Sequence, residues 1–139
     1  MDNKLLVVLD TNALLVSISR KSKYRPIFEG LISGSYDLAI TNEILNEYIE
    51  IIERKANIVV ANNIAEFILN LPNVIKTEIH YNWQLIDKDH DDNKFIDCAI
   101  SSNAKYLVTN DKHFDILNQI EFPKVEIIKI DEFLNEIKK

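Results

Sequence analysis

The chain has 139 residues, the size of one ordinary domain with a substantial core, and we expect a single domain over residues 1–139. Hydrophobic residues make up 47% of it, which excludes a disordered chain, and the lone cysteine excludes an internal disulfide and a thiolate zinc site. The net charge of −6 argues against nucleic acid only if the acids are spread evenly, because several acids gathered in one metal site would account for most of the excess.

Apolar runs of strand length alternate with helical patterns along the chain. Residues 5–9 form a continuous apolar run, which is typical of a strand buried on both faces of a parallel sheet. Four later segments also have strand character: 37–40, 106–109, 125–130 and, more weakly, 74–80. Apolar residues at helical spacing predict helices over 42–54, 59–71 and 93–104, and a last helix with Asp131 as its N-cap. The alternation predicts a three-layer α/β/α sandwich around a mostly parallel sheet.

Two aspartates follow predicted strands closely. Asp10 comes directly after the first strand, and Asp111 comes after the strand at 106–109. Ligands of open parallel sheets bind beyond the carboxyl ends of the strands, so the two carboxylates converge if these strands are neighbours. The alternative is that each aspartate only caps the helix that follows it.

Glu47 is the best placed of the four glutamates in the predicted helix at 42–54. It borders the apolar stripe beside Ile44, whereas Glu43 and Glu50 are predicted to point further into solvent. A side chain at that border can reach a site near the start of the helix. A functional role and a place on a solvated helix face both stay open for Glu47.

The densest acidic segment spans residues 87–93 and leads into a predicted helix. Four of its seven residues are aspartates, and the last of them, Asp92, either caps the helix or belongs to a site. The spacing is similar to that of an EF-hand loop, but Asp92 stands at the glycine position and Cys98 at the position of the bidentate glutamate. Asp97, within the helix, is an additional candidate ligand.

Crowded carboxylates need a compensating cation. Two of them about 5 Å apart repel by roughly 3 kcal/mol at an effective dielectric of about 20. We expect no lysine or arginine close to these acids, so the cation would be a metal. Oxygen ligands favour Mg²⁺, Mn²⁺ or Ca²⁺, and His80, His90 and His113 show no pairing that suggests ligands. Such metals activate water and neutralise charge during phosphodiester cleavage.

The order of these pieces resembles the PIN-domain family. The matching pieces are Asp10 after the first strand, Glu47 in a mid-chain helix, Asp-Asn-Lys-Phe-Ile-Asp-Cys-Ala at 92–99 and Val-Thr-Asn-Asp-Lys at 108–112. The resemblance covers about residues 5–130 and is closest to the bacterial branch of toxin components of toxin–antitoxin pairs. It implies that residues 1–139 form a single PIN domain with a five-stranded parallel sheet.

The resemblance also implies a metal-dependent endoribonuclease. The catalytic, metal-binding acids would be Asp10, Glu47, Asp92 and Asp111, with Asp97 as a further metal ligand. Supporting hydroxyl and amide contacts would come from Thr11, Asn12, Asn93 and Thr109. The implied cofactor is Mg²⁺ or Mn²⁺. The implied partners are an RNA substrate, a protein antitoxin that covers or enters the acidic cleft, and a second copy of the chain in a homodimer.

The sequence also bears on location. The apolar run at 5–9 is too short for a signal peptide, and no segment approaches the length of a membrane span. We therefore expect a cytoplasmic protein with no membrane partner.

Two other function classes stay open. A phosphoaspartate phosphatase needs a second aspartate where Asn12 stands, and a phosphate receiver needs an acid where Leu9 stands, so the sequence disfavours both. A non-catalytic PIN-type module that only binds RNA or protein is disfavoured because all four acids are present.

Overall fold

The structure, a computed structural model, describes residues 4–86 and 90–139, so Asp87 and Asp89 of the acidic segment lie outside the described residues. The strands are β1 (Leu6–Leu9), β2 (Asp37–Ile40), β3 (Val74–Lys76), β4 (Tyr106–Val108) and β5 (Ile127–Ile128). The α-helices are α1 (Thr11–Ile18), α2 (Arg25–Ser33), α3 (Asn42–Lys55), α4 (Ile58–Asn70), α5 (Asn93–Ser102) and α6 (Ile130–Lys138). A 3₁₀ segment at His90–Asp92 precedes α5, and another at Lys112–Gln119 follows β4.

The sheet has the strand order β3-β2-β1-β4-β5. Every strand pair is parallel, so the predicted α/β sandwich is confirmed and its mostly parallel sheet is parallel throughout. The chain moves from β1 outward to β2 and β3, and later returns to place β4 on the other side of β1. Such a reversal creates a crevice at the carboxyl ends of the two strands, the usual ligand position in open α/β sheets.

The burial of β1 in the core explains why the sequence predicted this strand. Val7, Val8 and Leu9 are completely buried, as expected for the central strand of a sheet covered on both faces. Helix α5 packs across β1, β2 and β4 and buries Phe95 and Ile96. No helix in the described ranges is long and apolar enough to cross a membrane.

Tyr48 ties α3 to the central strand. Its buried hydroxyl donates to the carbonyl oxygen of Leu9 at 2.6 Å. The neighbours of these two residues in the chain are Glu47 and Asp10, so one core hydrogen bond sets the position of both acids relative to each other.

Three details differ from the sequence-based prediction. The helices α1 and α2 were not predicted; α1 is short, and its apolar residues show no clear helical period. The strands β3 and β5 are shorter than the predicted segments at 74–80 and 125–130. The last helix begins at Ile130 and not after Asp131, because the Glu132 carboxylate reaches back and accepts the backbone N–H of Lys129 at 3.0 Å.

Candidate functional site

Asp10 begins α1 and also lies at the end of β1. Its Oδ1 accepts the backbone N–H of Ala13 at 2.7 Å, and its Oδ2 accepts the hydroxyl of Thr109. Burial raises the pKa of Asp10, the hydrogen bonds from Thr109 and Ala13 lower it, and the charges of Asp111 and Glu47 raise it further. Asp10 is therefore a helix cap, as its alternative interpretation predicted, and it is also a buried carboxylate held close to two other acids.

Thr109 links the ends of β1 and β4. Its buried hydroxyl donates to Asp10 and accepts the backbone N–H of Asp111 at 3.0 Å. Asp111 in turn caps the 3₁₀ segment, since its Oδ1 accepts the N–H of His113 at 2.9 Å. The convergence of the two strand-end aspartates is thus built on one threonine hydroxyl.

A group of three side chains has metal-ligand spacing. One ligand atom each from Asp92, Asp111 and His113 lies within 4.8 Å of the others. The Nδ1 atom of His113 is 3.4 Å from Oδ2 of Asp92 and 3.6 Å from Oδ1 of Asp111. His113 was not predicted to be a ligand; its only signal in the sequence is its position two residues after Asp111. The two carboxylates supply the oxygen ligands that the predicted Mg²⁺ or Mn²⁺ prefers, whereas an imidazole nitrogen is a donor more typical of transition metals than of Mg²⁺.

Glu47 points toward the same crevice but has its own partners. Its Oε2 accepts the hydroxyl of Thr11, and its Oε1 is 2.7 Å from the Nζ atom of Lys94. Lys94 also donates to the backbone carbonyl of Asp91 at 2.6 Å. The expectation that no lysine lies near the acids is wrong, because α5 turns Lys94 toward α3. Part of the negative charge is therefore compensated by the protein.

Asp97 lines a cleft of about 280 Å³ beside the group of Asp92, Asp111 and His113. Its Oδ1 accepts the backbone N–H of Trp83 at 3.1 Å, and burial raises its pKa, with the Trp83 hydrogen bond lowering it and Glu43 raising it. Among the residues that the structure describes, Asp97 is not in the group with metal-ligand spacing. Glu43, predicted to point into solvent, lines this cleft together with Lys94.

The remaining supporting residues divide into two kinds. Asn93 is buried, and its side-chain amide forms paired hydrogen bonds of 2.9 Å with the backbone N–H and carbonyl of Ile86. It therefore fixes the chain before the acidic segment. Asn12 is exposed on α1 and takes no part in the contacts described above. Burial raises the pKa of the Cys98 thiol to about 12, so this cysteine is a core residue and not a nucleophile.

A family model described as a PIN domain matches residues 6–113 of the chain. The chain belongs to the PIN-domain family. A search of curated protein sequences gives no significant match. The match to the family includes all four acids of the predicted site, from Asp10 to Asp111.

Solved structures similar to this PIN domain include VapBC2 from Rickettsia felis bound to a DNA fragment from their promoter. It gives a TM-score of 0.63 at 16% identity and covers 90% of this chain and 98% of that one. VapBC-1 from nontypeable Haemophilus influenzae gives 0.59 at 16% identity, covering 91% and 99%. Mycobacterium tuberculosis VapC20, a sarcin–ricin loop cleaving toxin, gives 0.58 at 11% identity, covering 79% and 93%. At these identities the likeness establishes the fold.

Proposed function

We propose that this PIN domain is a metal-dependent endoribonuclease that hydrolyses RNA phosphodiester bonds with Mg²⁺ or Mn²⁺. The observation that carries the proposal is the group of Asp92, Asp111 and His113, with ligand atoms within 4.8 Å of one another in the crevice that Asp10 borders. The similar structure of Mycobacterium tuberculosis VapC20 supports it, because that protein is a cleaving toxin.

Each acid has a proposed role. Asp92 and Asp111 would hold the divalent cation, with His113 as a third donor, and Asp10 and Glu47 complete the catalytic acids. The bound metal would supply an activated water and would neutralise charge on the phosphate oxygens. Thr109 fixes the carboxylate of Asp10, and Thr11 fixes that of Glu47, so both acids hold their orientation before substrate arrives.

Asp97 has a different proposed role. Its hydrogen bond to the Trp83 backbone makes it a residue that positions the 82–84 segment beside the cleft. We do not assign it to the same cation as Asp111.

The direct test is cleavage of single-stranded RNA in Mg²⁺ or Mn²⁺ and in EDTA. We expect cleavage only with metal, and loss of it in Asp111→Asn. Asp115→Asn is the matched control, because it removes the same charge from an exposed position of the same 3₁₀ segment. Equal cleavage by Asp111→Asn and Asp115→Asn would exclude Asp111 from the site.

The rival functions give other results. A non-catalytic PIN module would bind metal or RNA without cleaving it. A receiver domain has the strand order 2-1-3-4-5, which differs from the order β3-β2-β1-β4-β5 found here. A phosphatase would release phosphate from small phosphoesters and leave RNA intact.

We further propose that the chain is the toxin of a toxin–antitoxin pair in the cytoplasm, built as one PIN domain over residues 1–139. The support is the likeness to the VapBC structures. Co-expression with the product of the adjacent reading frame tests the antitoxin, which should co-purify and suppress cleavage. The molecular mass in solution tests the proposed homodimer.

A further inference from the structure

Three aromatic rings form a row on the surface, with a half-buried ring between two exposed ones, which we call the aromatic ladder: Tyr81, Trp83 and Phe122. The ring centroids of Tyr81 and Trp83 are 4.7 Å apart, and those of Trp83 and Phe122 are 6.1 Å apart. Both pairs meet edge to face, at 65° and 85°. Tyr81 is 62% exposed and Phe122 is 83% exposed. These rings stabilise one another while leaving large aromatic surface in water.

The ladder is attached to the cleft that neighbours the candidate site. The backbone N–H of Trp83 donates to the buried carboxylate of Asp97 on α5. The two residues flanking Trp83, Asn82 and Gln84, line the same cleft as Lys94. Gln84 has a φ of +52°, in the left-handed region that a glutamine rarely adopts. Strained backbone of this kind is concentrated at sites that hold ligands.

The segment therefore alternates ring and amide, with Tyr81 and Trp83 in the ladder and Asn82 and Gln84 in the cleft. Rings offer stacking faces, and side-chain amides offer both donors and acceptors for base edges. An unpaired nucleobase can use both, because it stacks on a ring and forms hydrogen bonds with an amide.

Charge does not attract RNA to this cleft, so binding would have to rest on other contacts. The cleft is lined by the acids Glu43, Asp91 and Asp97, with Lys94 as its only cation among the described lining residues. Because the protein has a net charge of −6, contacts to phosphate alone would give only a weak affinity for RNA. Stacking does not depend on the charge of the protein, so it can supply the affinity that electrostatics does not.

We propose that the aromatic ladder is a stacking surface for unpaired bases of RNA that leads the strand into the cleft. The inference rests on the proposed ribonuclease function, since it names the single-stranded substrate of the same site. Sequence preference would be weak, because every base has a face that stacks.

Trp83 is the only tryptophan of the chain, so its fluorescence reports on the ladder directly. The experiment titrates a short single-stranded oligoadenylate into Asp10→Asn protein in Mg²⁺, where we expect the RNA to stay intact. We expect quenching of Trp83 and saturable binding. In that background, Tyr81→Leu and Phe122→Leu remove a ring but keep an apolar side chain, and each should weaken binding on the order of ten-fold.

Two controls separate stacking from other effects. Phe67→Leu removes an exposed ring from α4, away from the ladder, and should bind like the parent. Tyr81→Phe keeps the ring and should also bind like the parent. Melting temperatures of all variants establish that they are folded.

Specific outcomes would overturn the inference. Saturating oligoadenylate without quenching of Trp83, or unchanged affinity in both ladder leucine variants, excludes base stacking there. If instead those variants lose the antitoxin while keeping RNA, the ladder is a protein-docking surface. Cleavage by the wild-type protein is scored separately, so the nuclease proposal can fail while oligoadenylate binding persists, or stand while the ladder fails.

Discussion

The ammonium of Lys94 lies 2.7 Å from Oε1 of Glu47, and the two side chains are only 13% and 25% exposed. The pair joins α5 to α3 across the crevice. Because it is largely shielded from water, screening weakens it less than a surface ion pair. Lys94 thus provides a positive charge at a place where a metal site was expected to have none, and it competes with any cation for Glu47.

The first prediction concerns Lys94→Met, which keeps the apolar stem and removes the charge. In EDTA we expect it to destabilise the fold by roughly 1–3 kcal/mol, because Glu47 loses its partner. Mn²⁺ should then raise the melting temperature by more than in the wild type, since Glu47 is free for the metal. Lys55→Met, at an exposed lysine of α3, should change neither value. If Mn²⁺ raised the melting temperature of both variants equally, Lys94 would not compete with the metal for Glu47.

The second prediction is that divalent metal stabilises the wild-type protein. Asp92, Asp111 and His113 are close enough to share a cation only in the folded state. Mn²⁺ at about 100 times its Kd would add about 2.7 kcal/mol to the free energy of unfolding. Melting curves with EDTA and with millimolar Mn²⁺ measure the difference, and identical curves would count heavily against the site.

The third prediction concerns Asp10→Asn. The asparagine oxygen can still accept the N–H of Ala13, so the fold is kept, while the loss of a catalytic charge should abolish RNA cleavage. Wild-type cleavage by this variant would remove Asp10 from the site.

Asp10→Asn should also alter the dependence of stability on pH in EDTA. Burial raises the pKa of Asp10 above its ordinary value of 3.8, so the folded protein binds this proton more tightly than the unfolded chain does. The contribution of Asp10 to stability is present below that ordinary value and is lost as pH rises through the raised pKa. Asparagine does not ionise, so the melting temperature of the variant relative to wild type should increase with pH.

The fourth prediction is that Tyr48→Phe lowers RNA cleavage by more than a control variant of similar stability does. Loss of the hydroxyl that donates to Leu9 should cost about 1 kcal/mol and leave α3, and with it Glu47, less firmly set against Asp10. Tyr36→Phe is the matched control, because that buried hydroxyl donates to the carbonyl of Ile27 at 2.8 Å, away from the acids. Equal losses of cleavage in the two variants would point to stability alone.

The fifth prediction concerns the cleaved ends. Among the residues whose side chains the structure describes, His113 is the one histidine within the site, and it faces two carboxylates with no described histidine beside it to act on a ribose hydroxyl. We expect metal-activated water to attack phosphorus, leaving 5′-phosphate and 3′-hydroxyl ends. A substrate with 2′-deoxyribose at the cut position should still be cleaved. Cyclic phosphate products, or full activity in EDTA, would rule out this mechanism.

The parts of the site that could be predicted from sequence are those tied to strand ends and helix faces. Asp10 and Asp111 became candidates because apolar runs end close to them, and Glu47 became one because it borders a helical stripe. Lys94 and His113 carry no such signal, since their roles come from contacts with Glu47 and Asp92 that depend on how distant elements pack. The convergence of Asp10 and Asp111 depended on β1 and β4 being neighbours, which only the structure established.

The helices α1 and α2 were missed for local reasons. Helix α1 is too short and too evenly apolar to reveal a period, and α2 contains Gly30, a residue that usually weakens a helix. The structure explains that glycine, because a Cβ atom there would lie 3.2 Å from the ring of Tyr36.

The pairing of β1 with β4 has a consequence for synthesis on the ribosome. Val7 is paired with Tyr106, so the central strand, although synthesised well before β4, stays without one of its neighbours until β4 has emerged. Asp111 and His113 follow β4 directly and arrive later still. A chain stopped by a nonsense codon before β4 therefore carries Asp10 but neither Asp111 nor His113, so it lacks two of the three residues of the proposed metal site.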